Sequence, residues 1–316
     1  MTLQTGLAED YRFGGHQTFP LRIAWLPKAA MGLSSGQDVL GDMVEGVVRL
    51  GLGKNMVEAL RCWVGAYGVA QRTAEGWRLT DEGRAIFGPG GFDPYLEDSQ
   101  TLWWLHWKIS TQDPGRFFAW ELLFNRWNEP HFTASAVLAA FAREAERSGR
   151  SLSEISLKQH FDVWLRTYCA PRGGRLGEEG LDSPLVALGL VRPAGEREEL
   201  GRREPVYAFD FGPKRAINQA LFRYCLADWW ERRRLHEDTA PFHDVVTGVG
   251  SPGRIFRMPE SEVRSRLDLL ARSGGEFELA ESLNQQQVRR IRKLAPPKRR
   301  LAAIYARDKG IAPAND

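Results

Sequence analysis

The chain has 316 residues, 43% of them hydrophobic, with 11 Trp and 16 Phe, enough apolar mass for two or three cores and too much for a disordered tail. No run approaches the roughly 20 apolar residues of a membrane span, and the opening MTLQTGLAEDYRFGG lacks the basic start and apolar stretch of a secretory signal, so the sequence reads as a cytoplasmic globular protein. Net charge is +3, yet from Arg254 onward 14 Lys and Arg face 8 Asp and Glu, and a basic end on an otherwise balanced chain points to a polyanion, nucleic acid first.

In chain order, the first informative stretch is residues 12–29, RFGGHQTFPLRIAWLPKA. Pro20 and Pro27 argue against a plain helix, and Gly14 with Gly15 against a plain strand. It reads as an extended segment over a core, anchored by Phe13, Phe19 and Trp25. His16, Gln17, Arg22 and Lys28 would then be held at fixed positions. Amide, guanidinium and ammonium groups beside imidazole suit phosphate recognition; a lone His among aromatics also reads as a structural hydrogen-bonder.

Residues 38–50 place Val39, Leu40, Met43, Val47 and Val48 on one helical face. A tight turn at Gly51 and Gly53 leads to a second helix, with Asn55 as N-cap and Met56, Leu60 and Trp63 inward. Next come a hairpin turning at Glu75 and Gly76 and a short helix capped by Thr80. Helix, glycine turn, helix, hairpin is the order of a winged helix-turn-helix. The fold class predicted is mainly α with small β-hairpins, an α+β chain. It opens on a winged-helix-like domain over 1–110, continues in a helical domain over 111–250 and ends in a basic helical region over 251–316.

GLGKN lacks the spacing, the Ser or Thr and the preceding strand of a phosphate loop, which speaks against a nucleotide. A helix N-terminus carrying Lys54 and Asn55, with Arg61 two turns on, suits a DNA phosphate or the major groove. The same turn also suits a helix pair used only for packing. Residues 90–108 pass from a loop into a Trp-rich helix. There Asp93, Glu97, Asp98 and His106 suggest a Mg- or Mn-type site that would activate water beside a scissile phosphate. Glu97 and Asp98 point apart on a helix, however, and Asp98 also reads as a cap.

Further helices are predicted over 117–127, 133–148, 152–168 and 214–235. Residues 169–184 read as a loop, and 182–211 as a short helix followed by a hairpin, a second wing. His236, Glu237, Asp238, His243 and Asp244 lack HExxH spacing and read as a solvated loop. Beyond Arg254 two or three short helices are expected. Residues 289–300 hold seven basic side chains and no acid, among them Arg289, Arg290, Arg292 and Lys293. Such a run either releases counterions from nucleic acid, giving salt-sensitive and sequence-blind affinity, or is a solvated helix end. Cys62, Cys169 and Cys225 lie far apart without a CxxC pair, so they read as reduced, buried thiols and not as a zinc or iron–sulfur site.

The blocks FGGHQTFPLRIAWLPKA, GLGKNMVEALRCW, LTDEG and DPYLEDSQTLWWLHW, in that order over about residues 12–110, resemble the bacterial domain-of-unknown-function family 4007. Members of that family lie among genes of DNA phosphorothioation defence systems, and the chain is similar to the DNA-nicking component of the single-strand system. The resemblance implies an endonuclease that nicks double-stranded DNA so that sulfur can replace a non-bridging phosphate oxygen. Its partners would be a cysteine desulfurase, an ATPase and an ATP-pyrophosphatase-like sulfur-transfer protein. On this reading His16, Asp98 and His106 are the expected catalytic residues. Asp93, Glu97 and Asp98 are the expected metal ligands. Gln17, Arg22, Lys28, Lys54, Asn55, Arg61, Arg289, Arg290, Arg292 and Lys293 are the expected DNA contacts. A non-catalytic winged-helix adaptor and a transcriptional regulator are the competing readings.

Overall fold

The computed structural model describes residues 11–113, 116–170, 183–199, 201–282 and 285–306. An irregular segment leads into α1 (Trp25–Ser34). Pro27 lies within the first turn of that helix, where the expectation of unbroken extended chain fails. The reason is that first-turn N–H groups have no intrahelical acceptor, so a proline there removes nothing. Helix α2 (Met43–Leu50) starts later than its apolar spacing predicts, because the Asp42 carboxylate accepts from the Glu45 N–H at 2.8 Å and sets the N-terminus. Val39 and Leu40 are buried in the preceding turn, whereas Val48 is 76% exposed. Gly51, at φ 63°, ends α2 in the left-handed region where a side chain is strained. In α3 (Lys54–Ala66) the N-cap is Gly53, which moves Asn55 to the second helical position.

Strands β1 (Ala70–Thr73) and β2 (Gly76–Leu79) form an antiparallel hairpin with Ala74 and Glu75 in the turn, one residue earlier than predicted. The Thr73 hydroxyl donates to the Gly76 carbonyl at 2.9 Å and closes that turn. Thr80 caps α4 (Asp81–Phe87), its hydroxyl accepting from the Gly83 N–H at 2.9 Å. Asp98 caps α5 (Ser99–Thr111), which carries Trp103, Trp104, Leu105, His106, Trp107 and Ile109 into the core.

A single turn, α6 (Phe118–Trp120), runs directly into a π turn over Glu121–Arg126, where an ordinary helix was expected. Buried Glu121 accounts for the widening: its carboxylate receives Arg116, Asn125 and Arg126, each at 3.1 Å. At the far end Arg254 takes the Asn125 carbonyl and Arg257 the Trp127 carbonyl, both at 3.1 Å, which satisfies the carbonyls the turn leaves open. There follow β3 (His131–Thr133), α7 (Ala134–Arg147), α8 (Glu154–Tyr168), a 3-10 turn over Pro184–Leu188, β4 (Val191–Glu199) and β5 (Arg202–Phe209). The three strands pair in the order β3-β5-β4. Most of the loop predicted over 169–184 lies outside the described residues.

Helix α9 (Gln219–Arg233) is capped by Asn218. The stretch predicted as a loop at 236–244 instead holds β6 (Thr239–Pro241) and the start of α10 (Phe242–Thr247). The chain continues through α11 (Pro252–Phe256), α12 (Glu260–Arg272), β7 (Phe277–Ser282), β8 (Gln285–Arg290) and α13 (Pro297–Ile304). An all-helical end was expected; the structure places a sheet there, in the order β6-β8-β7. The chain is thus mainly helical with small antiparallel sheets, a mixed α+β fold. Buried apolar side chains from Tyr11 to Ile304 form one contiguous cluster. Among the described residues no helix is long and apolar enough to cross a membrane, and the three cysteines are buried and free.

Candidate nucleic-acid interface

The segment at 12–24 lies over the core and sends Phe13, His16, Pro20 and Leu21 inward. Arg12 pairs with Phe117 in a short parallel bridge, and the Trp63 indole N–H donates to the Phe19 carbonyl at 3.1 Å. Gly15 makes the entry of the chain feasible: its φ is 103°, and a Cβ there would lie 2.8 Å from Arg12 Nη2. His16, 1% exposed, then points inward. A chain of hydrogen bonds fixes its tautomer. The Ala119 N–H donates to His160 Nε2 at 3.0 Å, so His160 carries its proton on Nδ1. That proton goes to His16 Nε2 at 3.0 Å, and His16 Nδ1–H donates to the Gln17 carbonyl at 2.8 Å. The two rings are 6° from parallel with centroids 5.3 Å apart, which fits an in-plane, edge-to-edge bond. Burial, with lesser contributions from the Arg12 and Arg166 charges, lowers the His16 pKa to about 4. Burial and the neighbouring ring likewise hold His160 well below its ordinary value. His16 is therefore neutral, enclosed and engaged at both nitrogens, not a surface group facing a phosphate.

Its neighbours divide between structural duties and the surface. Gln17, exposed and at φ 52°, donates to Glu58 of α3 at 2.8 Å. The Arg22 guanidinium lies over the rings of Phe19 and Trp25, at 5.6 and 5.8 Å. Lys28 is exposed and reaches the last carbonyl of α2, Leu50, at 3.1 Å. Arg61 donates to the carbonyls of Leu40 and Gly41 at 2.6 and 2.9 Å, clamping the turn before α2. Lys54 and Asn55 stand exposed in the first turn of α3. The hairpin exposes Arg72 and Arg78, which sequence reasoning did not single out. Their signal was present, since a cation on each predicted strand flanks the predicted turn.

The acid–His set is not gathered into one site. Both Asp93 oxygens accept backbone N–H groups, of Glu97 at 2.8 Å and Asp98 at 3.0 Å. Asp98 accepts from the Gln100 N–H at 2.8 Å as the cap of α5, and Glu97 is exposed. His106 is fully buried. Its Nε2–H donates to the Ile255 carbonyl at 3.0 Å, and its Nδ1 accepts from the Tyr168 hydroxyl at 2.9 Å. Burial lowers its pKa to about 3. Among the described residues no group of three or more His, Cys, Asp or Glu side chains is placed to hold a metal. The side chains expected to bind a divalent ion therefore do not fit one as they stand.

The basic run from 289 covers the end of β8, a connector and the first turn of α13. Arg289 is exposed opposite Glu278. Arg290 pairs with Asp238 at 2.7 Å, and Arg292 bonds the Gly274 carbonyl. Lys293, Lys298 and Arg299 are exposed, whereas Arg300 is buried against Glu231 at 2.6 Å. A groove of about 520 Å³ runs beside Arg290, Arg292 and Lys293.

These features belong to a known, functionally undefined family of mixed α+β proteins. The chain is a member of DUF4007, described as a protein family of unknown function, whose model matches residues 13–305. The family that the signature blocks of the first third pointed to thus spans nearly the whole chain. Two solved structures of SspB are similar. The magnesium ion-bound one has 25% identity and a TM-score of 0.81, over 96% of this chain and 92% of that one. The second has 24% identity and a TM-score of 0.77 over the same shares. No curated protein matches the chain.

Proposed function

We propose that this chain is the DNA-engaging component of a DNA phosphorothioation defence system, nicking one strand of duplex DNA so that sulfur can be installed. The observation that carries this reading is the likeness to SspB, a phosphorothioation-system protein, along 96% of the chain. The order α2, glycine turn, α3, hairpin supports a winged-helix mode of binding. Lys54 and Asn55 would then meet a phosphate at the N-terminus of α3, and Arg72 and Arg78 would lie along the backbone from the wing. Arg289, Lys293 and Arg299 supply further sequence-blind attraction. The partners on this reading are the cysteine desulfurase, the ATPase and the sulfur-transfer protein of the system. Because Asp93 and Asp98 accept backbone amides and Glu97 stands apart on the surface, no catalytic step is assigned to a metal on them.

A second reading has one specific observation in its favour. His16, Asp98 and His106 are all engaged in structural hydrogen bonds, which suits an adaptor that binds DNA and recruits the sulfur-transfer enzymes without chemistry of its own. Supercoiled plasmid incubated with the purified protein, with and without magnesium, separates the two. The nickase reading expects open circles, also from an Asp98→Ala variant, which loses a helix cap worth about 1 kcal/mol and no catalytic group. Clear DNA binding without conversion would leave the adaptor.

A further inference from the structure

Between α9 and α13 lies a small, partly open cavity of about 220 Å³, lined by Ala220, Arg223, Ala295, Arg299, Arg300 and Ala303. Its walls are thus arginines and alanines alone. Two larger grooves carry acids, the one of about 520 Å³ at Glu231 and Asp238 and one of about 510 Å³ at Glu237 and Asp244, and a third of about 550 Å³ mixes Lys28 and Arg49 with apolar side chains. Arg300 is 5% exposed. Its Nη2 is spent on Glu231 at 2.6 Å, while its Nε and Nη1 are buried without a protein partner. Buried guanidinium donors are ordinarily paired. Arg223 is held by a two-pronged pair with Glu276, at 2.7 and 2.5 Å, which fixes its orientation at the cavity wall. Two carboxylates behind three guanidinium groups leave the lining with an excess positive charge.

We propose that this cavity is a binding site for a single tetrahedral phosphate group, either free phosphate or the terminal phosphomonoester of a DNA strand. Size selects that class: the volume falls below the roughly 300–1,000 Å³ of pockets that enclose drug-sized ligands, so a nucleoside does not enter. Chemistry selects it as well, since a tetrahedral oxyanion presents several acceptors to a rigid fork of donors. The alanines leave the space that larger side chains would fill. The site does not depend on strand nicking, and its failure would leave that reading intact.

Calorimetric titration with inorganic phosphate at constant ionic strength, with chloride as control, tests the proposal. Wild-type protein binds phosphate with Kd below about 1 mM, and the Arg300→Lys and Ala303→Leu variants bind at least about tenfold more weakly. Lysine keeps the charge and loses the Nε–H. Ala303 is only half-buried, so leucine there blocks the cavity in a folded chain. Displacement of phosphate by a 5′-phosphorylated oligonucleotide, and not by its unphosphorylated twin, identifies a strand end as the ligand; no displacement by either identifies the free ion. Absence of binding at about 10 mM phosphate, or both variants binding like wild type, overturns the proposal.

Discussion

His16 and His160 act as one hydrogen-bonded unit whose direction is set by a single backbone amide, that of Ala119. A proton added to either ring puts two N–H groups face to face, so the pair resists protonation as well as desolvation. The pKa values of His16 and His106 are lowered to about 4 and about 3, and that of His160 is lowered too. An unfolded histidine takes its proton near pH 6.5, so below that pH the unfolded chain binds more protons than the folded one. The stability is whole above pH 6.5 and is lost as pH falls toward the folded values, at about 1.4 kcal/mol per unit for each ring. Set against a typical 5–15 kcal/mol of total stability, three such rings should give a steep fall in the urea midpoint between about pH 6.5 and 5. A midpoint constant over that range would show that these rings are not buried neutral. The conspicuous character of His16 in the sequence was real, but the sequence could not show which partner it meets, since His160 lies 144 residues away.

At the scale of elements, two caps were legible from the sequence, and others, such as Asp42 and Asn218, were not. Thr80 and Asp98 start α4 and α5 as local rules require. What else escaped was decided over long distances. The carbonyls left open at the end of the π turn at 121–126 are met by Arg254 and Arg257 of a later segment, and β8 carries Gln285, Gln286 and Gln287, which offer no strand alternation. Arg61 shows the same limit: it lies on the predicted recognition helix yet bonds carbonyls of the preceding turn. Arg61→Ala should therefore cost roughly 1–3 kcal/mol of stability, the usual range for a lost charge-assisted bond, and leave the salt dependence of DNA binding unchanged. Chemical denaturation beside a binding isotherm checks both halves. A reduced salt slope at unchanged stability would return Arg61 to the DNA contacts.

For the molecule as a whole, the family signature was readable in about the first third, although membership extends over residues 13–305. Beyond residue 110 the defining features are single buried aromatics, such as Trp164, Phe209 and Trp230. They meet across the core without a local motif, so spacing does not reveal them. The candidate site was legible only where it is superficial, at Lys54, Asn55 and the run from Arg289. Of the titratable groups singled out for chemistry, His16, Asp93 and His106 are buried and hydrogen-bonded within the fold, Asp98 caps a helix and Glu97 stays exposed. On the proposed function the chain holds duplex DNA through surface cations, with Lys54 of α3 and Arg72 and Arg78 of the hairpin at the centre of the contact. The most direct measurement is the slope of log affinity against log salt for a short duplex, comparing wild type with a variant carrying Lys54→Glu, Arg72→Glu and Arg78→Glu. The slope should fall by up to about 3, roughly one per phosphate contact removed, with an unchanged unfolding midpoint. An affinity and slope equal to wild type would contradict it.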